Sequence, residues 1–267
     1  MARSSLLLLF LSLNAICPLN IGAQIINIDK TDTSAYDNKN QWAASFSLGL
    51  ELDKQNKTLL DMSNLADASL QHSHELFILS ASNRITSDGD KSFLNTGYVH
   101  LRFRHNYKNR LHPEIYGQYQ WDEQRGMKHR FVTGVNLRYT LWHHQKWDMT
   151  FATGVMYENE EWNYTAVDSS KIPGNPIDQK TSIIKSNNYV KWEGLLSKGS
   201  NVSVILFYQA AYSDFLQPRI SSFISYDVAI SKHFSLGIKW NGLYDFKPVV
   251  PIPNFYYSLS TNLSYKL

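Results

Sequence analysis

The last two segments of the chain alternate strictly between two classes of side chain. From Phe234 to Phe246, every second position is apolar or aromatic except Gly242, and most of the intervening positions are polar. The segment 254–267 repeats the pattern, with Phe255 and Tyr257 at the start of its apolar set. A period of two predicts a β-strand with one face in an apolar medium and the other in water. Each run exceeds the roughly 5–6 residues of a common strand and satisfies the roughly 9–11 that a bilayer-crossing strand needs.

The same alternation along the rest of the chain predicts about twelve strands. These are 41–52, 58–71, 75–86, 92–107, 111–123, 127–142, 146–159, 181–196, 200–212, 219–231, 233–246 and 254–267. An even number of strands is typical of bacterial barrels. The connectors also alternate, with short turns on one side and the longer 160–180 and 247–253 on the other. We therefore predict an all-β chain: a single antiparallel transmembrane β-barrel of outer-membrane type over residues 41–267.

The N-terminus has the pattern of a secretory signal. A basic start at Arg3 is followed by an apolar run and by the small residue Ala23, which predicts a signal peptide over residues 1–23. Residues 24–40 are polar and aperiodic, as expected for a short periplasmic tail. The only cysteine, Cys17, leaves with the signal; the alternative of a lipidated cysteine is disfavoured by the large Ile16 before it. These features predict localisation to the bacterial outer membrane.

The two faces of the predicted strands differ in chemistry. One carries bulky apolar residues such as Phe46, Leu101, Val135 and Phe151, and the other is highly polar. A soluble lipocalin-like barrel needs the reverse, with apolar residues inside. The pattern therefore favours lipid outside and water or paired charges inside.

Charged residues on the polar face of segments 92–142 are the strongest functional signal. They are predicted to line the lumen, where the arginines are expected to meet the carboxylates across neighbouring strands; the set is Arg102, Arg104, Glu114, Asp122, Arg130 and Arg138. One interpretation is a pore lining that selects solutes by charge. The other is a structural ion-pair network that fills the lumen. A twelve-stranded barrel lies between the filled interior of about eight strands and the channel of about sixteen.

Other chemical patterns are weaker. His233 and Ser235 share a face with a spacing seen in an outer-membrane phospholipase, but their location at a turn does not favour a catalytic triad. His72 with His74, and His143 with His144, lack a third ligand nearby in sequence. The sequence thus predicts no catalytic residue, no cofactor and no metal site, and the small net charge of +3 gives no indication of nucleic-acid binding.

The stretch 101–142 resembles the salt-induced (YdiY-like) outer-membrane protein family. The likeness is an E-x-Y-x-Q-x-Q-x-D strand beginning at Glu114, a short hairpin, and a strand of the form K-x-R-x-x-x-G-x-x-L-R-Y-x-L beginning at Lys128. The chain departs from many barrels by ending in Leu267 where they end in Phe. The resemblance implies a barrel of unknown function and supplies no catalytic or ligand-binding residues.

Three functional hypotheses remain. The first is a non-enzymatic barrel with a role in envelope integrity or osmotic stress and a lumen lined by ion pairs. The second is a narrow diffusion channel for small polar or anionic solutes, and the third an outer-membrane hydrolase of phospholipase type. The partners expected are outer-membrane lipid, lipopolysaccharide and the barrel-assembly machinery, with no nucleic acid.

Overall fold

A computed structural model describes residues 41–54, 58–88, 93–144, 146–231 and 234–265. The predicted signal peptide over 1–23 and the predicted tail over 24–40 lie outside these ranges. The strands are β1 Gln41–Lys54, β2 Thr58–His72, β3 Glu75–Asp88, β4 Phe93–Arg104, β5 Leu111–Asp122, β6 Met127–His144, β7 Trp147–Trp162, β8 Gln179–Ser197, β9 Ser200–Ala211, β10 Arg219–Ala229, β11 Phe234–Asp245 and β12 Phe255–Tyr265. The helices described are 3-10 turns of three residues each, at Glu123–Arg125, Ser169–Lys171 and Tyr212–Asp214, and none could span a membrane.

The twelve strands form one antiparallel sheet in chain order. Each strand pairs with the next along the chain, so the topology is a series of hairpins. The hydrogen-bonded order runs from β1 to β12, and no pairing between these two strands occurs within the described ranges. The all-β prediction and the positions of the strands are confirmed.

Strand boundaries shift where turns or loops interrupt or extend the pairing. β4 ends at Arg104, short of the predicted 107, because the chain turns at Asn106, which has a φ of 50°. β7 continues to Trp162 and β8 begins at Gln179, so both strands extend into the segment that is predicted to be a long connector. The hairpin between β5 and β6 closes at Gly126, whose φ of 78° favours glycine.

Exposed and buried side chains alternate along the strands, but the apolar residues are the exposed ones, which is the reverse of a soluble β-barrel. The apolar residues Ile115 and Val135 are 51% and 54% exposed, whereas Glu114 and Arg130 are fully buried. The same alternation of exposed and buried residues runs through β5, β6 and β7. The bulky apolar set therefore forms one face of the sheet, and the polar set lies on the other.

The sheet curls towards its polar face. The Tyr189 hydroxyl on β8 donates to Glu114 on β5 over 3.2 Å, and Arg219 on β10 donates to Glu160 on β7 over 2.6 Å. The Arg125 guanidinium, which follows β5, lies 4.2 Å from the ring centroid of Tyr256 on β12. Because side chains from strands several positions apart meet, the polar face is concave and its centre is occupied by side chains.

The exposed apolar face yields a test of the lipid-facing prediction. Val135 lies midway along β6 and Leu111 at the first position of β5, and both are exposed on this face. We expect Val135→Arg to lower the free energy of unfolding in lipid by about 2–4 kcal/mol, because a charge at mid-bilayer is costly. Leu111→Arg should cost about 1 kcal/mol or less, since the penalty fades towards the interface. Urea-induced unfolding from vesicles measures both variants, and equal effects would contradict a bilayer around this face.

Candidate functional site in the charged interior

Two glutamates on β7 anchor the first group of interior charges. Glu158 and Glu160 are two positions apart and therefore share the concave face. Arg130 on β6 donates through Nε to Glu158 over 2.7 Å and lies 3.0 Å from Glu160. Arg219 on β10 donates to Glu158 over 2.9 Å and to Glu160 over 2.6 Å. Two arginines from opposite sides thus clamp the glutamate pair.

Further charges and amides complete this group. Lys185 on β8 pairs with Glu158, and Arg219 donates through Nε to Asp245 on β11 over 2.9 Å. The group, termed the Glu158 network, comprises Arg130, Lys185, Arg219, Glu158, Glu160 and Asp245. It contains three cations and three carboxylates, so it is balanced in formal charge.

A second group surrounds a single carboxylate on β5. Arg104 on β4 donates through Nε to Glu114 over 2.9 Å, while Nη1 of Arg102 and Nη1 of Arg138 lie 3.6 and 3.8 Å from the same carboxylate. Tyr189 donates its hydroxyl to Glu114 over 3.2 Å. The side chains of Glu114 and all three arginines are less than 10% exposed. We call Arg102, Arg104, Glu114 and Arg138 the Glu114 cluster.

The structure brings together only part of the predicted set of lumen charges. Arg102, Arg104 and Arg138 meet Glu114, as expected. Arg130 does not meet Glu114 or Asp122, because the ladder between β6 and β7 places it opposite Glu160.

Asp122 also has a different neighbour from the one expected. It lies at the end of β5, at the N-cap position of the turn that carries Arg125, and its side chain makes no capping hydrogen bond. The Arg125 guanidinium is 5.5 Å from the ring of Trp162. Burial lowers the pKa of Arg125, and the Asp122 carboxylate opposes this shift. Asp122 therefore acts electrostatically on Arg125 at the turn and lies outside both groups described above.

Sequence reasoning missed Arg219, Arg125 and Glu160 as interior charges. Arg219 is the first residue of its strand and directly follows a loop, so no alternation precedes it to assign its face. Glu160 belongs to an acidic run that resembles a loop edge in sequence. Its assignment needed the extension of β7 to Trp162.

An apolar cluster covers the Glu158 network on the side of the long connectors. Its buried members are Met127, Trp162, Val167, Val250 and Ile252, which we call the apolar cap. The cap joins the 163–178 and 246–254 connectors to the ends of β6 and β7. The Trp162 indole donates to Glu160 over 3.1 Å and so links the cap to the charges below it.

The weaker sequence candidates remain dispersed. His143 pairs with Asp148, and His74 contacts the Ser73 hydroxyl over 3.0 Å. Among the residues that the structure covers, no group of three or more His, Cys, Asp and Glu side chains has the arrangement of a metal site. Ser235 lies near the start of β11, and His233 falls outside the described ranges.

Arg219 pairs with carboxylates on both β7 and β11, so its replacement is expected to lower the free energy of unfolding strongly. Arg219→Leu leaves Glu160 and Asp245 buried without this cation, and removing one partner of a buried pair costs about 3–5 kcal/mol. Lys247→Leu is the matched reference, because Lys247 is 70% exposed and its contact with Asp214 is 3.7 Å. Urea titration in detergent should show a large decrease in the free energy of unfolding for Arg219→Leu and no measurable decrease for Lys247→Leu. Similar midpoints would show that the network adds little to folding.

Comparison with known proteins gives one family assignment. A search of curated proteins finds no match. A solved structure described as "NanC porin structure in rhombohedral crystal form" aligns with 11% identity and a TM-score of 0.42, over 78% of this chain and 94% of that chain. A likeness of this size carries no argument about function. The model of the family "Protein of unknown function, DUF481" matches residues 46–267, which is most of the chain and includes nearly the whole sheet and both charged groups. The chain is therefore a member of this family.

Proposed function

We propose that the protein is a non-enzymatic outer-membrane β-barrel whose interior is filled by ion pairs and which contributes to the integrity of the cell envelope under osmotic stress. Its partners are outer-membrane lipid, lipopolysaccharide and the barrel-assembly machinery. The observation that carries the proposal is the inversion of exposure across the sheet. An exposed face of bulky apolar side chains needs an apolar surrounding, because a soluble monomer rarely exposes a continuous apolar patch of this extent.

Closure of the sheet is part of the proposal. A strand edge in lipid would leave backbone N–H and C=O groups without partners at a cost of several kcal/mol each, so membrane sheets close. β1 and β12 are the two ends of the hydrogen-bonded order, and an even number of hairpin strands makes them antiparallel to each other. The contact between Arg125 and Tyr256 brings the turn after β5 within reach of β12 across the concave face. Pairing of β1 with β12 would complete the barrel.

The filled interior supports a structural role over free diffusion. Arg130, Glu158 and Glu160 lie on the concave face and are at most 1% exposed. Their partners come from β6, β7, β8 and β10, so the charges also connect β7 to β10, which are not neighbours in the sheet. The apolar cap lies over the same region at the ends of the strands. A solute would have to displace both layers to pass.

A narrow channel for small polar or anionic solutes is the second candidate. The observation that favours it is the Glu114 cluster, in which three arginines share one carboxylate. Arginine rings are used by pores that select anions. This candidate requires the Glu158 network and the cap to rearrange.

Single-channel recording separates the two candidates. We expect the refolded wild-type protein in a planar bilayer to show no steady conductance, because side chains occupy the interior. An open porin refolded in the same way is the positive control for insertion. Steady conductance whose ion selectivity shifts in Arg102→Glu or Arg138→Glu would instead support the channel.

The envelope role has its own test in cells. Removal of the gene should reduce survival after hyperosmotic shock and increase entry of a normally excluded dye, and the wild-type chain should restore both. The Ser235→Ala variant should restore them equally, because no step of this role uses the serine. Unchanged survival in the deletion strain would argue against the role, and loss of a phospholipase activity in Ser235→Ala would argue for the hydrolase.

A further inference from the structure

We propose that the connector between β9 and β10 anchors the protein in lipid, with its apolar side chains at the boundary between headgroups and acyl chains. The connector comprises residues 212–218, which we call the β9–β10 loop, and the leaflet concerned is the one on the side of the long connectors. The inference rests on the proposed barrel, since it takes the exposed apolar face of the sheet to lie in lipid. It is independent of whether the interior conducts.

The β9–β10 loop exposes several apolar side chains close together. Leu216 is 85% exposed, which is the highest value for a large apolar residue within the described ranges. Tyr212 and Phe215 are exposed as well. Single exposed apolar residues are common on protein surfaces, but a group of them marks an interaction surface. The loop is therefore suited to an apolar surrounding.

The loop folds onto the outward, apolar face of the sheet. The ring of Phe215 packs against that of Tyr208 on β9, with centroids 5.3 Å apart, and the Tyr208 hydroxyl donates to the Phe215 carbonyl. Tyr208 points outwards, because its neighbours Phe207 and Gln209 are buried on the concave side. The loop therefore continues the lipid-facing wall and does not stand away from it.

The wall beneath the loop carries a row of large apolar side chains across four strands. The register of β9 to β12 places in this row Tyr208, Ile220, Tyr244 and Phe255. Ile220 is the second residue of β10 and Phe255 the first of β12, so the row lies at the long-connector end. Aromatic side chains of outer-membrane barrels concentrate at the two membrane interfaces. The loop thus meets the wall at the level expected for one interface.

Backbone hydrogen bonds fix the shape of the loop. The amide of Gln217 donates to the carbonyl of Asp214 over 3.0 Å, and the amide of Phe246 donates to the carbonyl of Pro218 over 3.3 Å. The second bond ties the end of the loop to the end of β11. An ordered loop can present its apolar side chains to a partner at a small cost in conformational entropy.

The two connectors at this end fold in opposite directions. The 163–178 connector turns inwards, where its Val167 is buried in the apolar cap over the Glu158 network. The β9–β10 loop turns outwards through the contact between Phe215 and Tyr208. Lipid is the occupant that this outward position favours, because the exposed side chains of the loop are continuous with a wall that the proposed barrel places in the bilayer.

Spin labelling of the full chain, refolded in phosphatidylcholine vesicles, tests the anchor. The background variant is Cys17→Ser, since Cys17 is the only cysteine. A nitroxide on Leu216→Cys is measured for collisions with molecular oxygen, which concentrates in lipid, and with a water-soluble nickel chelate. We expect the ratio of oxygen to nickel collisions to exceed that at Gly174→Cys several-fold and to approach that at Leu206→Cys.

The two reference positions bracket the result. Leu206 is an exposed residue of β9 on the apolar face and serves as the lipid reference. Gly174 lies in the 163–178 connector, and a Cβ at this position would have no atom within 4 Å among the described residues, so it serves as the water reference. Tyr212→Cys is a second loop position and should give the same result as Leu216→Cys if the label at Leu216 disturbs the loop.

Each outcome separates the anchor from the barrel. Collision ratios at both loop positions that equal the Gly174 value, with Leu206 in lipid, would overturn the anchor alone. A water-like ratio at Leu206 would overturn the lipid-facing wall and the proposed barrel with it. Protection of both loop positions from both reagents would show a contact with protein, such as a second copy of the chain, and would overturn lipid as the occupant.

Discussion

The architecture depends on charge pairing across the concave face of the sheet. Each strand is held to its neighbours by the backbone ladder, but these bonds alone do not set the curvature. Arg219 ties β10 to β7, and Tyr189 ties β8 to β5. Such contacts bring together strands that the ladder keeps apart. A buried charge without its partner is strongly destabilising, so these groups can be buried only when the sheet curls enough for them to meet.

The period of two accounts for most of what the sequence predicts correctly. It depends only on local geometry, since successive side chains of a strand point to opposite faces. The positions of the twelve strands and the face of Arg102, Glu114 and Val135 follow from it. The pairing of the interior charges does not follow from this period, because it depends on the register of the strands and on the curvature of the sheet. Arg130 lies opposite Glu160 only because of the ladder between β6 and β7, which shifts at two irregularities. Arg219 meets both glutamates only because β10 lies across from β7.

The apolar cap shows a second limit of local pattern. Val167, Val250 and Ile252 occur in connectors whose prolines and polar residues predict loops, and no periodicity marks them as buried. They become buried because two connectors from distant parts of the chain converge over Trp162. The cap shields the Glu158 network from solvent at the strand ends. Lower local polarity strengthens the attraction within that network, so the apolar cap and the ion pairs below it reinforce each other.

The two charged groups of the concave face differ in how the polar atoms around them are satisfied. The Glu158 network is complete in itself, with as many carboxylates as cations, and its covered position suits it to hold the walls together. Beside the Glu114 cluster, the hydroxyl of Tyr116 and the amide of Gln71 are buried and have no hydrogen-bond partner among the described residues. A chain under selection for stability alone would gain from satisfying or replacing these groups, since apolar residues in their place avoid the cost of an unmade hydrogen bond.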